Sequence, residues 1–121
     1  MKENILKKKS FDFAVRIVNL FKFLKDDKKE FVLSKQILRS GTSVGAMVRE
    51  SEHAQSKADF INKLSIAQKE INETIYWLEL LTSTNYIEKN QFESLNTDAI
   101  ELIKLITSSI KTAKQSQTIN H

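Results

Sequence analysis

The chain contains no proline and only two glycines, Gly41 and Gly45, which lie four residues apart in the stretch SGTSVGA. Proline and glycine are the residues that most often end helices and form sharp turns. A chain of 121 residues that almost lacks both has few places to reverse direction. The sequence therefore predicts long helices joined by short polar turns, within one compact domain.

Apolar residues recur at helical spacing, most clearly in residues 56–83. The stripe alternates steps of four and three residues and consists of Phe60, Leu64, Ala67, Ile71, Thr74, Leu78 and Leu81. Such heptad spacing favours a helix that packs lengthwise on another helix. Ser56 followed by Asp59 resembles a capping box, so this helix is predicted to begin near residue 57.

Three further segments of the chain are also amphipathic. Together with residues 56–83, they predict helices over residues 10–25, 31–54, 57–83 and 90–115. Ser10 is the expected cap of the first helix, and the charged stretches KDDKKE and TNYIEKN read as turns. Four helices with short connections form antiparallel neighbours. The predicted fold is all-α, an antiparallel up-down-up-down four-helix bundle that spans residues 1–121 as a single domain.

The two glycines admit two interpretations, a phosphate-binding loop or a helix with two notches. A phosphate loop needs a preceding strand and a Lys–Ser/Thr pair after the glycines. No strand pattern precedes Gly41, and the next basic residue after Gly45 is Arg49. Glycines four residues apart share one helical face and let a partner backbone come close. The notched helix is therefore the prediction.

Positive charge is concentrated in the first third of the chain. The net charge is +4 at pH 7, and residues 1–39 hold eleven Lys or Arg against five Asp or Glu. A basic surface attracts nucleic acid or an anionic membrane through contacts that ignore sequence, while the alternative is a solvated surface that maintains solubility. The candidate phosphate-binding residues are Lys7, Lys8, Lys9, Arg16, Lys22, Lys25, Lys28, Lys29, Lys35 and Arg39.

Candidate catalytic and metal-binding residues are few. The chain has no cysteine, which excludes disulfides and thiol chemistry. Glu50 and His53 form an E-x-x-H pair, and Glu70 and Glu73 stand three residues apart. Carboxylate metal sites in helical bundles take two Glu-x-x-His pairs, and the other histidine is the terminal His121. We expect no enzyme activity, no cofactor and no metal, with a metal-binding bundle enzyme as the least favoured alternative.

Several residues are predicted to serve helix packing or a subunit interface. Tyr76 and Trp77 could stack on bases if exposed, but aromatic residues more often anchor cores and interfaces. Glu70 and Glu73 are expected to pair with Arg39 or Arg49 from a neighbouring helix. The predicted packing or interface set is Gly41, Gly45, Phe60, Glu70, Glu73 and Trp77.

The central run of the chain, residues 38–81, resembles a known family. Its matching residues are Arg39, Ser40, Gly41, Ser43, Gly45, Ala46, Glu50, Ser56, Lys57, Phe60, Leu64, Ala67, Glu70, Glu73, Trp77 and Leu78. They are similar to the four-helix-bundle proteins encoded in intervening sequences of bacterial 23S ribosomal RNA genes, often described as ribosomal protein-like. The stretch SFDFAVRIVNLFKFL also resembles the first helix of that family.

The resemblance implies an antiparallel bundle that assembles as a ring, with a homopentamer as the expected form. Related accessory proteins of diversity-generating retroelements bind nucleic acid and a reverse transcriptase, so both classes of partner are expected here. The leading hypothesis is a non-enzymatic homo-oligomer that binds RNA or DNA through its backbone. The alternative is a protein-interaction scaffold that binds no nucleic acid. No apolar run reaches the roughly 18 residues of a membrane span, and we expect a cytoplasmic protein without membrane contact.

Overall fold

The computed structural model describes residues 4–119, with side chains through Ser116. Its helices are α1 (Ile5–Asp26), α2 (Leu33–Ser51), α3 (Lys57–Ser83) and α4 (Lys89–Ile119). Each helix packs on the next one, and α4 returns to α1 through a less extensive contact. The residues described contain no strand. The predicted all-α, antiparallel four-helix bundle is confirmed.

The first helix begins earlier than the sequence predicted. Asn4 caps α1, since its side-chain oxygen accepts a hydrogen bond from the Lys7 amide at 2.9 Å. Ser10 is not a cap but a buried residue inside the helix, where its hydroxyl donates to the Lys7 carbonyl. The expected start at residue 10 is therefore wrong, because Asn4 already caps a turn that begins with Ile5 and satisfies one of its free amides.

The other helix ends lie near their predicted positions. The Ser56 hydroxyl accepts from the Asp59 amide at 3.0 Å, as expected, and α3 begins at Lys57. At its far end Asn85 takes a left-handed backbone with φ of 69°, a conformation that asparagine tolerates. Helix α2 covers residues 33–51 rather than 31–54, and α4 covers residues 89–119 rather than 90–115.

The core runs the length of the bundle and draws side chains from all four helices. Its fully buried large side chains are Phe13, Ile17, Leu24, Ile37, Val44, Val48, Leu64, Ile71, Leu78, Leu81, Leu102 and Ile106. One polar contact lies among them, because the hydroxyl of Thr74 on α3 donates to that of Ser40 on α2 at 2.9 Å. Within residues 4–119, no helix combines the length and apolar character needed to cross a bilayer.

The glycines lie inside α2, on the side that packs against α1. A Cβ at Gly41 would stand 2.7 Å from Cγ1 of Ile17, and a Cβ at Gly45 would stand 3.2 Å from the carbonyl oxygen of Ser10. The first glycine makes room for a buried side chain, and the second lets the helix approach the α1 backbone itself. This is the notched helix predicted from the sequence, and no strand or loop surrounds it.

We predict that Gly41→Ala destabilises the protein by about 1–2 kcal/mol, because the overpacking cost exceeds the gain in helix propensity. Urea unfolding measures the free energy. The matched control is the same substitution in an Ile17→Ala background, where the colliding atoms are gone and alanine at position 41 is expected to be neutral or stabilising. Equal penalties in both backgrounds would show that Ile17 does not set the size limit.

Candidate nucleic-acid interface

Four of the ten predicted phosphate-binding cations sit on the first part of α1 and already face carboxylates. The pairs are Lys7–Glu52 at 3.5 Å, Lys8–Asp12 at 2.8 Å, Lys9–Glu101 at 3.2 Å and Arg16–Asp98 at 2.6 Å. Three of these contacts reach α4 or the residue after α2. Exposed ion pairs stabilise a fold by about 0–1 kcal/mol, yet each one places a carboxylate beside the cation and so weakens the attraction of that cation for phosphate.

Arg39 is engaged in a different network, between α2 and α3. Its guanidinium donates to Glu70 at 3.3 Å and also to Glu73, and the Trp77 indole N–H donates to Glu73 at 3.1 Å. The bonds from Trp77 and Arg39 hold the pKa of Glu73 below its usual value, and the bond to Glu73 raises the pKa of Arg39. The expected pairing forms within one chain through Arg39, so this cation is matched by two carboxylates.

The remaining five predicted cations gather where α1 meets α2. We call residues 22–35 the α1–α2 tip; its lysines are Lys22, Lys25, Lys28, Lys29 and Lys35, and all five are exposed. Among the described residues, none of them forms an ion pair with another helix, and their one ion pair joins Lys25 to its neighbour Asp26 at 3.9 Å. The ammonium groups of Lys25 and Lys28 lie 5.8 and 5.7 Å from the ring centres of Phe21 and Phe23.

Glu30 turns inward from the tip and caps α2. Its carboxylate accepts from the backbone amides of Val32 at 3.2 Å, Leu33 at 3.0 Å and Ser34 at 2.7 Å. The side chain is 9% exposed. Burial works to raise the pKa of Glu30, but the backbone N–H donors outweigh it and leave the pKa below its usual value. One acidic residue of the tip is thus removed from the surface that the lysines share.

The chain bends at Lys29, whose backbone is left-handed with φ of 56°. This conformation costs a non-glycine residue about 1 kcal/mol, and it lets the Glu30 amide donate to the Leu24 carbonyl at 2.9 Å. The tip is therefore an ordered turn with anchors at both helix ends. The sequence predicted KDDKKE as a turn, but the capping role of Glu30 was missed. The signal was available, since the apolar start of α2 is preceded by no Ser, Thr, Asp or Asn that could cap it.

A second basic surface, also missed, lies on the C-terminal half of α4. The sequence holds no Asp or Glu after Glu101, whereas Lys104, Lys111 and Lys114 follow. A groove of about 420 Å³ runs beside them between α3 and α4; it is lined by Ser65, Gln68, Thr107, Ile110, Lys111, Lys114 and Gln115. Residues 40–121 as a whole hold eight Lys or Arg against ten Asp or Glu, so a count over that range conceals this surface.

A sequence model of a known family, 23S rRNA-intervening sequence protein, matches residues 2–108. The chain belongs to this family. It is also similar to the crystal structure of a protein with unknown function from the S23 ribosomal protein family of Bacteroides thetaiotaomicron. The two sequences are 66% identical, with a TM-score of 0.89 over 92% of this chain and 99% of that chain. No curated protein matches the sequence. Neither description states an activity or a ligand.

In this intervening-sequence protein, the residues of the metal-enzyme alternative are not brought together. Glu50 lies 3.3 Å from Lys63, and Glu70 and Glu73 face Arg39. Among the described residues, no three His, Cys, Asp or Glu side chains lie close enough to share a metal ion. A cleft of about 690 Å³ lined by Glu52, Lys57 and several hydroxyls opens beside the α2–α3 turn, and nothing in it suggests catalysis.

The predicted packing or interface residues of this family member divide between the bundle interior and its outer faces. Phe60 and Trp77 are half-buried and pack against the core. Tyr76, beside Trp77 at 5.0 Å between ring centres, is 54% exposed. The nearby carboxylates Glu73 and Glu79 make the surroundings of Tyr76 acidic. This setting does not favour base stacking at Tyr76.

We predict that Glu30→Gln lowers the free energy of unfolding at neutral pH by about 1–2 kcal/mol, because charge-assisted caps are stronger than neutral ones. The folded pKa of Glu30 lies below the ordinary value of 4.5. Its contribution is therefore complete above that pH and is lost as pH falls further, since the unfolded chain takes up the proton first.

The measurement is denaturant unfolding at a series of pH values between neutrality and acid. Glu30→Gln is expected to flatten the acid limb of the stability curve. The matched control is Glu79→Gln, which removes an exposed carboxylate that forms no ion pair among the described residues. If both variants follow the wild-type acid limb, Glu30 does not anchor the tip.

Proposed function

We propose that this chain is a non-enzymatic, homo-oligomeric helical bundle of the cytoplasm that binds RNA or DNA through the sugar-phosphate backbone. The observation that supports this most directly is the α1–α2 tip. It presents five exposed lysines on an ordered turn, whereas the cations of the first part of α1 are paired with carboxylates.

The chemistry of the tip suits phosphate better than it suits a shaped ligand. Lysine ammonium groups bind phosphate as point charges and impose no base preference. Residues 22–35 carry five lysines against three acidic residues, and one of the three, Glu30, is turned inward to cap α2. The lysines come from both sides of the turn, so an extended phosphate chain can meet several at once. Binding of this kind is salt-dependent and weakly selective for sequence.

The α3–α4 groove supports a backbone contact of the same kind. Hydroxyl and amide side chains contribute a large share of protein contacts to phosphate and sugar. The groove supplies Ser65, Gln68 and Thr107 beside Lys111. The groove lies between α3 and α4 and the tip joins α1 to α2, so one strand would have to wrap the protein to reach both surfaces. We therefore assign the tip the first contact and the groove an auxiliary one.

Self-association is supported by an apolar strip on the outer face of α1. Phe11 and Val15 lie one helical turn apart and are 56% and 45% exposed. Phe11 borders a groove of about 280 Å³ whose other wall includes the small residues Thr42, Gly45 and Ala46. Large side chains beside a small-residue groove fit a second copy of this chain. An oligomer multiplies the tip, and multivalency raises avidity by roughly 10²–10⁴.

We predict that a triple variant, in which Lys28, Lys29 and Lys35 are each changed to Gln, binds RNA and DNA more weakly than the wild type. The slope of log affinity against log salt should fall by about 2–3, because each phosphate contact contributes roughly 0.7–0.9. Fluorescence anisotropy over rising salt is the measurement. The matched control changes the ion-paired lysines Lys7, Lys9 and Lys63 to Gln and should leave most of the slope intact.

Failure of the wild-type protein to bind either RNA or DNA at low ionic strength would contradict the proposal. A control triple variant whose salt dependence of binding falls as much as that of the tip variant would also contradict it. Light scattering of the same preparation tests self-association, with a mass several times the 14.0 kDa of one chain expected. A protein partner that survives nuclease treatment in a pull-down, together with absent nucleic-acid binding, would favour the scaffold alternative.

A further inference from the structure

Two large apolar side chains stand exposed in the middle of the α1–α2 tip. Phe31 is 52% exposed and Val32 is 69% exposed, although the next residue, Leu33, opens a helix that packs into the core. Lys28 and Lys29 precede them closely, and Lys35 follows. Burial alone does not account for an aromatic residue at this place, since apolar burial is what normally stabilises such a side chain.

The backbone beneath these exposed side chains is anchored by hydrogen bonds. Glu30 holds the amides of Val32, Leu33 and Ser34. The bend at Lys29 ties Glu30 back to the Leu24 carbonyl. The turn therefore holds an aromatic ring at the surface with little freedom in the backbone that carries it. Pre-organisation of this kind reduces the entropy lost on binding.

We propose that Phe31 stacks on an unpaired base of a single-stranded nucleic acid whose phosphates are held by the tip lysines. This inference rests on the proposed function and names its substrate class, single strands in preference to duplexes. Stacking on an aromatic ring is tolerant of sequence, because every base offers a π face. In a duplex the bases are stacked on one another, so the ring has no face to meet without unstacking a base pair.

Charge argues against a second copy of this chain at the tip. The tip that carries Phe31 and Val32 also carries five exposed lysines, and the same five on a facing copy would repel them. The outer face of α1 at Phe11 and Val15, whose lysines and arginine are paired with carboxylates, is the better surface for self-association.

The area argues against insertion into a membrane. A single myristoyl chain gives only marginal and reversible membrane binding, and Phe31 with Val32 presents less apolar surface than such a chain. One aromatic ring suffices for base stacking, whose contribution is felt for each base. A strand of nucleic acid can therefore use both features of the tip, because a single aromatic ring is enough to stack on one base and the lysines can bind the neighbouring phosphates.

The test compares Phe31→Ala with Phe31→Trp and Phe31→Leu, using a labelled single-stranded oligonucleotide of about 16 nucleotides and the same strand annealed to its complement. We expect the wild type to bind the single strand more tightly than the duplex. Phe31→Ala should weaken single-strand binding by about ten-fold or more and leave duplex binding nearly unchanged. Phe31→Trp should retain the preference, and Phe31→Leu, which keeps apolar volume without a π face, should lose it.

The matched control is Tyr76→Ala, which removes an aromatic side chain of similar exposure, 54%, from a place with acidic neighbours. It should leave both affinities unchanged. Because Phe31 is half exposed, its truncation should not unfold the protein, and helical content with the thermal midpoint verifies this for each variant.

Equal binding of single strand and duplex, with Phe31→Ala behaving as wild type, would overturn this inference and leave the proposed function standing. Absence of binding to either oligonucleotide at low ionic strength would overturn both. Vesicles that contain phosphatidylserine form a separate arm. If Phe31→Ala abolishes vesicle binding while single-strand binding is unaffected, the tip is a membrane contact and the inference is wrong.

Discussion

The backbones of α1 and α2 meet closely where Gly45 faces the carbonyl oxygen of Ser10, and a side chain there would start 3.2 Å from that oxygen. One turn away Gly41 accommodates Ile17, so the two helices are fixed both in distance and in register. The close packing of α1 on α2 therefore also restricts the turn that joins them. Helix α1 must end, and α2 must begin, within six residues that cannot slide relative to the core.

Glu30 supplies the hydrogen-bond acceptors that the start of α2 needs. The first amides of a helix have no partner within it, and at α2 they are met by a buried carboxylate rather than by a residue in the cap position itself. The same arrangement takes one negative charge off the surface and leaves the five lysines and Phe31 outside. Stability and the proposed recognition thus depend on one side chain, through the backbone that it anchors.

Periodicity and turn chemistry predicted the fold well because they are local. The heptad stripe of α3, its Ser56 cap and the glycine notches of α2 all follow from residues within a few turns of one another. The candidate nucleic-acid interface was harder to predict from the sequence. The pairing of Lys9 with Glu101 joins residues 92 positions apart, so charge along the sequence could not show which cations are already neutralised. The inward turn of Glu30 and the earlier start of α1 depended on which of several polar residues captures the free amides.

Amide hydrogen exchange at Leu33 and Ser34 tests the central claim, that the tip is an ordered turn held by Glu30. Amides in the first turn of a helix ordinarily exchange fast, because nothing within the helix accepts from them. We expect both amides to exchange slowly at neutral pH, at rates close to those of amides inside α2. Exchange at the rate of an unstructured chain would contradict it, since the lysines and Phe31 would then sit on a mobile loop.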